Sequence, residues 1–453
     1  MGLNPVRISK IVSFYNRFKG HFFNTSWMMA EKILQMGAGF FIAILVSRYL
    51  GPERFGVLAY ATSIVGIATA VSHAGLNGLV VKELVKNPDK NHEILGSTFF
   101  IKSLSTISIF SILIGLIFFI EEPGSEEFWI LIITAASLLA QPFQIVSYWF
   151  QSQTKIKYQT IANTAGTISN YGFKLILVIT GANLIAFGFS NLIQIIVAAL
   201  LLILFYLKHS KIPIKSWKNS KFRSKKLLKG GWIICLGSIF AIIYLKIDQA
   251  MLKWLIDSKE VGIYSVATTL SEVWYFIPNA IVVSIFPSLI RLRESNFNLY
   301  RHRLQQLLDF LFTIALIFSI LINLVSDELI LLTFGPTYID SAGILSIHIW
   351  AGLFIFMRAA FSKWILMENE LTLSLMTQGL GGVVNIILNL ILIPKLGGYG
   401  AALATLISYA TASYLALFFH RKSRPMFWMM TYSMLLVPTL GYRYWHGRNV
   451  RSR

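Results

Sequence analysis

Twelve stretches of this sequence stay apolar for about twenty residues or more, and a run of that length crosses the hydrocarbon core of a bilayer as a helix rising 1.5 Å per residue. They lie near residues 24–46, 55–76, 97–120, 127–150, 158–180, 182–207, 231–256, 261–289, 304–325, 344–367, 371–393 and 399–419. Lipid offers no partner to backbone N–H and C=O groups, so continuous apolar runs of this kind must be helices. Composition agrees. Charged residues make up 13% of the chain and mean hydropathy is +0.65, whereas a soluble domain carries about 25% charge. The expected fold class is an all-α polytopic integral membrane protein.

Charge then orients the spans. The loop from Lys208 to Lys229 holds Lys208, Lys211, Lys215, Lys218, Lys221, Arg223, Lys225, Lys226 and Lys229 with no Asp or Glu. Short loops of that kind stay in the cytoplasm. Counting alternate loops from a cytoplasmic N-terminus puts Lys82, Lys86, Lys90, Lys155, Lys157, Arg291, Arg293, Arg301, Arg303, Arg421, Lys422 and Arg424 on the same side. The opposite side collects Glu121, Glu122, Glu126, Glu127, Asp257, Glu260, Asp327 and Glu328. One loop, residues 367–370, carries only acids and gives no direction. A net charge of +20 could suggest nucleic acid, but the excess sits in short loops between apolar runs, where it meets anionic headgroups; membrane lipids are the expected partner and nucleic acid is not. Cys235 is the single cysteine, so no intramolecular disulfide and no cysteine-based metal site is expected. No cleavable signal peptide is expected either, and residues 8–23 read as an interfacial helix. Residues 426–440 are apolar over only about fifteen positions, too few to span, and read as interfacial or as an incomplete helix.

The chain also repeats itself. Gly56-Val-Leu-Ala-Tyr-Ala-Thr62, opening the second span, matches Gly262-Ile-Tyr-Ser-Val-Ala-Thr268, opening the eighth. Asn170 to Val178 in the fifth span matches Asn385 to Ile393 in the eleventh. A six-helix unit repeated in parallel about the membrane normal gives two bundles around a central cavity. The implied division is an interfacial segment at 1–23, a bundle at 24–207, a basic linker at 208–230, a second bundle at 231–419 and a basic tail at 420–453.

Four patches carry a family resemblance: Arg48-Tyr-Leu-Gly-Pro-Glu-Arg-Phe-Gly56; Ile247-Asp-Gln-Ala-Met-Leu252 with Val261-Gly-Ile-Tyr264; Phe334-Gly-Pro-Thr-Tyr338; and Asn385 to Pro394 with Gly400-Ala-Ala. Together they resemble the bacterial O-antigen and polysaccharide flippases of the multidrug/oligosaccharidyl-lipid/polysaccharide exporter superfamily, over the chain up to about Phe419. That resemblance implies alternating access in the bacterial cytoplasmic (inner) membrane. The implied substrate is an undecaprenyl-pyrophosphate-linked oligosaccharide, and the implied partners are a polysaccharide polymerase and a chain-length regulator.

Such a substrate needs a wet path with cations for its phosphates, and an ionisable group at a helix centre costs about 2.5–3.5 kcal/mol on insertion scales unless paired or hydrated. Lys174, Lys246 and Arg358 lie too deep to snorkel and are the candidate path cations. Lys32, Lys102 and Lys363 sit nearer the cytoplasmic face, where they either snorkel or receive the pyrophosphate. Glu31, Asp248 and Glu272 are candidates for gating or for H+ or Na+ coupling, with permanent structural ion pairs as the other reading. Tyr148, Trp149, Trp274 and Tyr275 could stack on sugars or mark interfaces; Gly379, Gly381 and Gly382 with Pro278 and Pro287 could bend helices or pack them. No Walker A loop, dinucleotide glycine pattern or HExxH spacing is present, so no enzyme and no cofactor is expected. A drug or cation antiporter of the same superfamily is the alternative, and a polymerase or ligase a further one.

Overall fold

The computed structural model describes the backbone of residues 5–435, apart from 74, 211 and 369, and the side chains of residues 35–435, apart from those three and residues 234 and 371. Every regular element among the described residues is helical. In order they are α1 (Pro5–Ser72), α2 (Asn77–Lys86), α3 (Asn91–Ile120), α4 (Glu126–Ala136), α5 (Ile145–Ser152), α6 (Ile156–Ile179) and α7 (Leu184–His209), then α8 (Lys221–Leu255), α9 (Ser258–Glu272), α10 (Phe276–Ser295), α11 (Phe297–Leu324), α12 (Ser326–Thr333), α13 (Ser341–His348), α14 (Ala351–Glu368), α15 (Leu371–Ala410), α16 (Ala416–Phe419) and α17 (Arg424–Met434). Nine helical stretches among the described residues are long and apolar enough to cross a membrane. Two of these contain a reversal, and α6, 24 residues long with a more polar face, completes twelve spans.

The first reversal is at Gly51 in α1, with φ 71° and ψ 172°, followed by Pro52. Met36 and Ser63 would be about 40 Å apart along a straight helix, yet they line one cavity. A left-handed φ is open to glycine and strained for other residues, and proline cannot continue the ladder, so Gly-Pro ends one span and starts the next. Gly397 (φ 55°) does the same in α15, bringing Asn389 and Thr405 to one side chain, Asp248. Two further spans are tightened by proline. Pro142 lies in a 3₁₀ stretch, Ser137–Gln144, and Pro278 follows a 3₁₀ turn at Val273–Tyr275; each removes an N–H from the ladder.

Two six-helix bundles surround a central cavity, and their cores show how they meet. One core is shared: Val46, Leu50, Val57 and Phe187 of the N-terminal half pack with Leu252, Val261, Phe334 and Tyr338 of the C-terminal half. Toward the face that carries the Lys208–Lys229 loop, the halves have separate cores. One is built on Leu84, Leu95, Phe150 and Tyr206, the other on Leu289, Leu304, Phe361 and Met430. The halves therefore share a core at one end and have separate cores at the other, where the start of α8 still packs on Gly75 and Leu79 of the N-terminal half, and the cleft opens on the basic face.

Glycine sets the closed end. A Cβ on Gly56 would meet the Ser258 carbonyl, and a Cβ on Gly262 would meet the Pro52 carbonyl. Gly56 and Gly262 are 206 positions apart, and so are Pro52 and Ser258. The contact is reciprocal about a pseudo-two-fold axis, with backbone meeting backbone. Tyr338 Oη donating to the Ser47 carbonyl (2.9 Å) and Arg48 donating to the Leu332 carbonyl (2.6 Å) tie the same end.

The acid-only loop finds its side through its partners. Glu368 accepts two hydrogen bonds from Arg293 (3.1 and 2.8 Å), and Glu370 pairs with Lys422 at 2.5 Å, so both acids lie on the basic face. On that face too, Arg223 and Lys226 at the start of α8 pair with Glu83, and Arg223 with Glu93, fixing the linker to the N-terminal half.

Candidate functional site

A cavity of about 580 Å³ lies under the shared core, lined by α1 on both sides of its reversal, by α6 and by α8 and α9. Lys174 projects from α6, Lys246 from α8, and Glu272 ends α9. Lys246 Nζ stands 3.7 Å from Glu272, with both side chains about one-third exposed to the cavity. Among the described residues Lys174 has no hydrogen-bonding or ion-pair partner. Two cations and one acid thus face a water-sized-to-sugar-sized space, and such a site attracts anions.

Polar neighbours complete the C-terminal wall. Ser265, Thr269 and Glu272 fall at i, i+4 and i+7 on α9 and therefore on one face, with Gln249 of α8 beside them. Ser265 is 4% exposed, and its buried Oγ has no hydrogen-bond partner among the described residues. Opposite stand Phe40, Ile42, Ala43, Val46, Phe55 and Leu58, with Thr62, Ser63 and Tyr171 as the polar members of that wall. Ser63 Oγ donates to the Lys246 carbonyl (2.5 Å) and Trp254 Nε1 to Tyr60 Oη (2.9 Å), so α8 is held against α1. The polar residues on α9 were not among the candidates drawn from the sequence, although their helical spacing in a span that already held Glu272 was a usable sign.

Asp248 lies elsewhere. Two residues on a helix differ by about 200° in direction, so with Lys246 on the cavity Asp248 points back into its own bundle. It is 2% exposed and accepts hydrogen bonds from Tyr264 Oη (2.7 Å), Asn389 Nδ2 (2.5 Å) and Thr405 Oγ1. Asn389 Nδ2 also donates to Asn385 Oδ1 (3.1 Å), while Asn389 Oδ1 is buried without a partner among the described residues. This is an oxygen-rich cluster next to, and outside, the cavity.

The other candidates are distributed as follows. Arg358 does not line the cavity. It donates to the Ala412 carbonyl (2.8 Å) and to Thr377 Oγ1 (3.0 Å) within the C-terminal half, where a π-turn at Thr411–Leu415 breaks the regular ladder. Lys102 neither snorkels nor faces the cavity; it is fully buried, 3.3 Å from both Tyr148 Oη and His73 Nδ1. Lys363 lies 5.4 Å from the Phe286 ring centre, away from the cavity. Glu31 and Lys32 fall outside the described side chains. Trp149 packs on Tyr206 with ring centres 4.9 Å apart, and Trp274 stacks on Phe318 at 4.6 Å, so both rings are occupied.

Comparisons with known proteins give this geometry a context. The "Probable flippase AglR" of Haloferax volcanii is 25% identical over 401 residues, covering 85% of this chain and 80% of that protein. Among solved structures, an inward-facing multidrug resistance MATE family transporter of the MOP superfamily superposes with a TM-score of 0.71 at 13% identity, over 88% of this chain and 95% of that one. The lipid II flippase MurJ in an inward closed conformation gives 0.63 at 18% identity, over 88% and 91%. These likenesses show the fold. The family described as polysaccharide biosynthesis protein matches residues 23–293, more than half of the sequence. The chain belongs to the polysaccharide biosynthesis protein family.

Proposed function

We propose that this protein is a flippase that moves an undecaprenyl-pyrophosphate-linked oligosaccharide from the cytoplasmic to the outer leaflet of the cytoplasmic membrane, for assembly of a surface polysaccharide. The observation that carries the reading is the pair of cations, Lys174 from one half and Lys246 from the other, on a cavity between halves whose cores are separate on the basic face. The positive-inside rule makes that face cytoplasmic, with the N-terminus on the same side. A pyrophosphate held by one cation from each half is released when the halves exchange which end is closed, while the sugar stays hydrated in the cavity and the polyprenyl tail stays in lipid. No bond is made or broken, so the protein acts as a transporter. Relatives named as flippases and the family match support this reading.

Energy comes from an ion gradient, H+ or Na+, with the Asp248 cluster as the coupling site: a carboxylate, the buried Asn389 Oδ1 and hydroxyl oxygens suit a hard cation. A polymerase and a chain-length regulator are the expected downstream partners. The drug or cation antiporter rests on the likeness to the MATE fold alone, and a cavity with two cations and one acid favours anionic cargo.

The test is a deletion strain complemented with wild-type, Lys174→Glu or Lys246→Glu protein at equal levels. Completed single repeat units confined to the cytoplasmic leaflet in the deletion and in both variants support the flippase. Units that reach the outer leaflet yet remain unpolymerised would instead indicate a polymerase or ligase, and unchanged polymer with altered drug sensitivity an antiporter.

A further inference from the structure

A second cavity, of about 570 Å³, lies on the flank of the C-terminal half between α8, the first arm of α15 and α16. Phe240, Met376, Gly379, Leu380, Ala416 and Phe419 line it. Met376 is 60% exposed and Phe419 78%, which in a membrane protein means contact with hydrocarbon. The groove exists because α15 has no side chain at Gly379, where an added Cβ would lie 3.6 Å from the Phe240 ring. Nearby Gly381 packs against Ala412. The glycines that could have served as hinges are thus divided between a tight helix contact and an open groove.

Depth and charge identify the occupant. Gly379 is eight residues into α15, about 12 Å from its start on the basic face, so the groove spans the acyl region of that leaflet. His420 lines the groove at that end, with its Nδ1 buried and without a partner among the described residues. The next residue, Arg421, is exposed, whereas Lys422 is paired with Glu370 and Arg424 donates to the Phe418 carbonyl. We infer that the groove between α8, α15 and α16 binds an anionic membrane phospholipid, one acyl chain lying along Gly379 and the headgroup phosphate held by Arg421 and His420.

A chain in the groove gains nothing hydrophobic over a chain in the bilayer, so the groove by itself selects no lipid. Selection comes from Arg421 at its mouth, as at other basic pockets between membrane helices. Arg421 follows His420 on the basic face, at headgroup depth and not on the central cavity, so the lipid is a resident one and its phosphate does not cross. This inference is independent of the cargo.

The experiment uses the purified full-length protein, delipidated in detergent and supplied with phosphatidylglycerol or phosphatidylcholine of identical acyl chains, with thermal unfolding as the readout. Phosphatidylglycerol is expected to raise the unfolding temperature by several degrees more than phosphatidylcholine. Arg421→Gln, a surface change that leaves packing intact, is expected to abolish most of that difference, and Gly379→Leu, which fills the groove, to abolish the response to both lipids. Equal responses to the two lipids in the wild type, or a full phosphatidylglycerol preference in Arg421→Gln, would overturn the proposal. Should Gly379→Leu fail to fold, Arg421→Gln decides alone.

Discussion

The two walls of the central cavity occupy equivalent places in the repeat, yet one is apolar and the other polar. Counting the 206 positions that separate Gly56 from Gly262, Lys246 stands where the N-terminal half has Phe40, Asp248 where it has Ile42, and Glu272 where it has Gly66. Phe40 and Lys246, like Ala43 and Gln249 or Ser63 and Thr269, both line the cavity, whereas Ile42 lines it and Asp248 does not, so the equivalence in space holds at some positions and not at others. The same position on the rim is Arg54 in one half, facing Glu126 at 4.0 Å, and Glu260 in the other, accepting from the Gly398 amide at 2.6 Å. The glycines that close the end away from the basic face keep one role in both halves. The repeat supplies a symmetric scaffold for rocking; among the described residues the second copy brings Lys246 and Glu272 to the cavity and the first brings Lys174.

That comparison can be broken by substitution. The largest effect is expected at the cations: Lys246→Glu should cut flipping at least about tenfold, roughly 1.4 kcal/mol in binding terms, by placing two carboxylates against the phosphates, whereas Phe40→Leu on the facing wall should change it little. Flipping of labelled lipid-linked oligosaccharide in proteoliposomes checks both, and equal losses would show that the walls are not specialised. Next is the buried cluster. Asp248→Ala strands the Tyr264, Thr405 and Asn389 donors and should destabilise by about 1–3 kcal/mol or more, against about 0.5–1.5 for Ile42→Val at the equivalent place, as read from chemical or thermal unfolding.

At the symmetric contact, Gly56→Ala and Gly262→Ala should behave alike, because each methyl meets a carbonyl of the other half. In a Cys235→Ser background, a thiol introduced at Thr62 should become more reactive from the face opposite the basic one in both, as the closed end is disfavoured. A response from only one of the two would deny the reciprocity. The smallest effects belong to the rim. Glu260→Ala removes one acceptor from the half-buried turn at Gly397–Gly398, where water replaces it, and should cost about 1 kcal/mol, while Arg54→Ala, in an exposed pair, should cost less than about 1 kcal/mol.

Much of the architecture was legible beforehand. The spans could be read because lipid forces helices to a minimum apolar length, and the two reversals within long helices coincide with Gly51-Pro52 and with the glycines after Pro394. The Gly-x-x-x-x-Ala-Thr repeat was visible too, although its purpose was not: nothing in either copy says that the two glycines touch. Among the charges, depth could be counted along a helix but direction could not. Arg358 lies deep, as its position implied, and still faces the Ala412 carbonyl in the π-turn that follows α15 instead of the cavity.

By itself, then, the sequence determined that this chain is a bundle of about twelve membrane helices in two related halves, because hydrogen bonding in lipid and the charge of short loops are properties of segments. Only the tertiary structure decided that Lys246 meets Glu272 while Asp248 meets Asn389, Tyr264 and Thr405, residues as far as 157 positions along the chain. Helices of similar apolar character can be rotated about their axes without changing their fit to lipid. Which face turns to the cavity is settled by close packing against neighbours, such as the backbone contact that Gly56 and Gly262 permit.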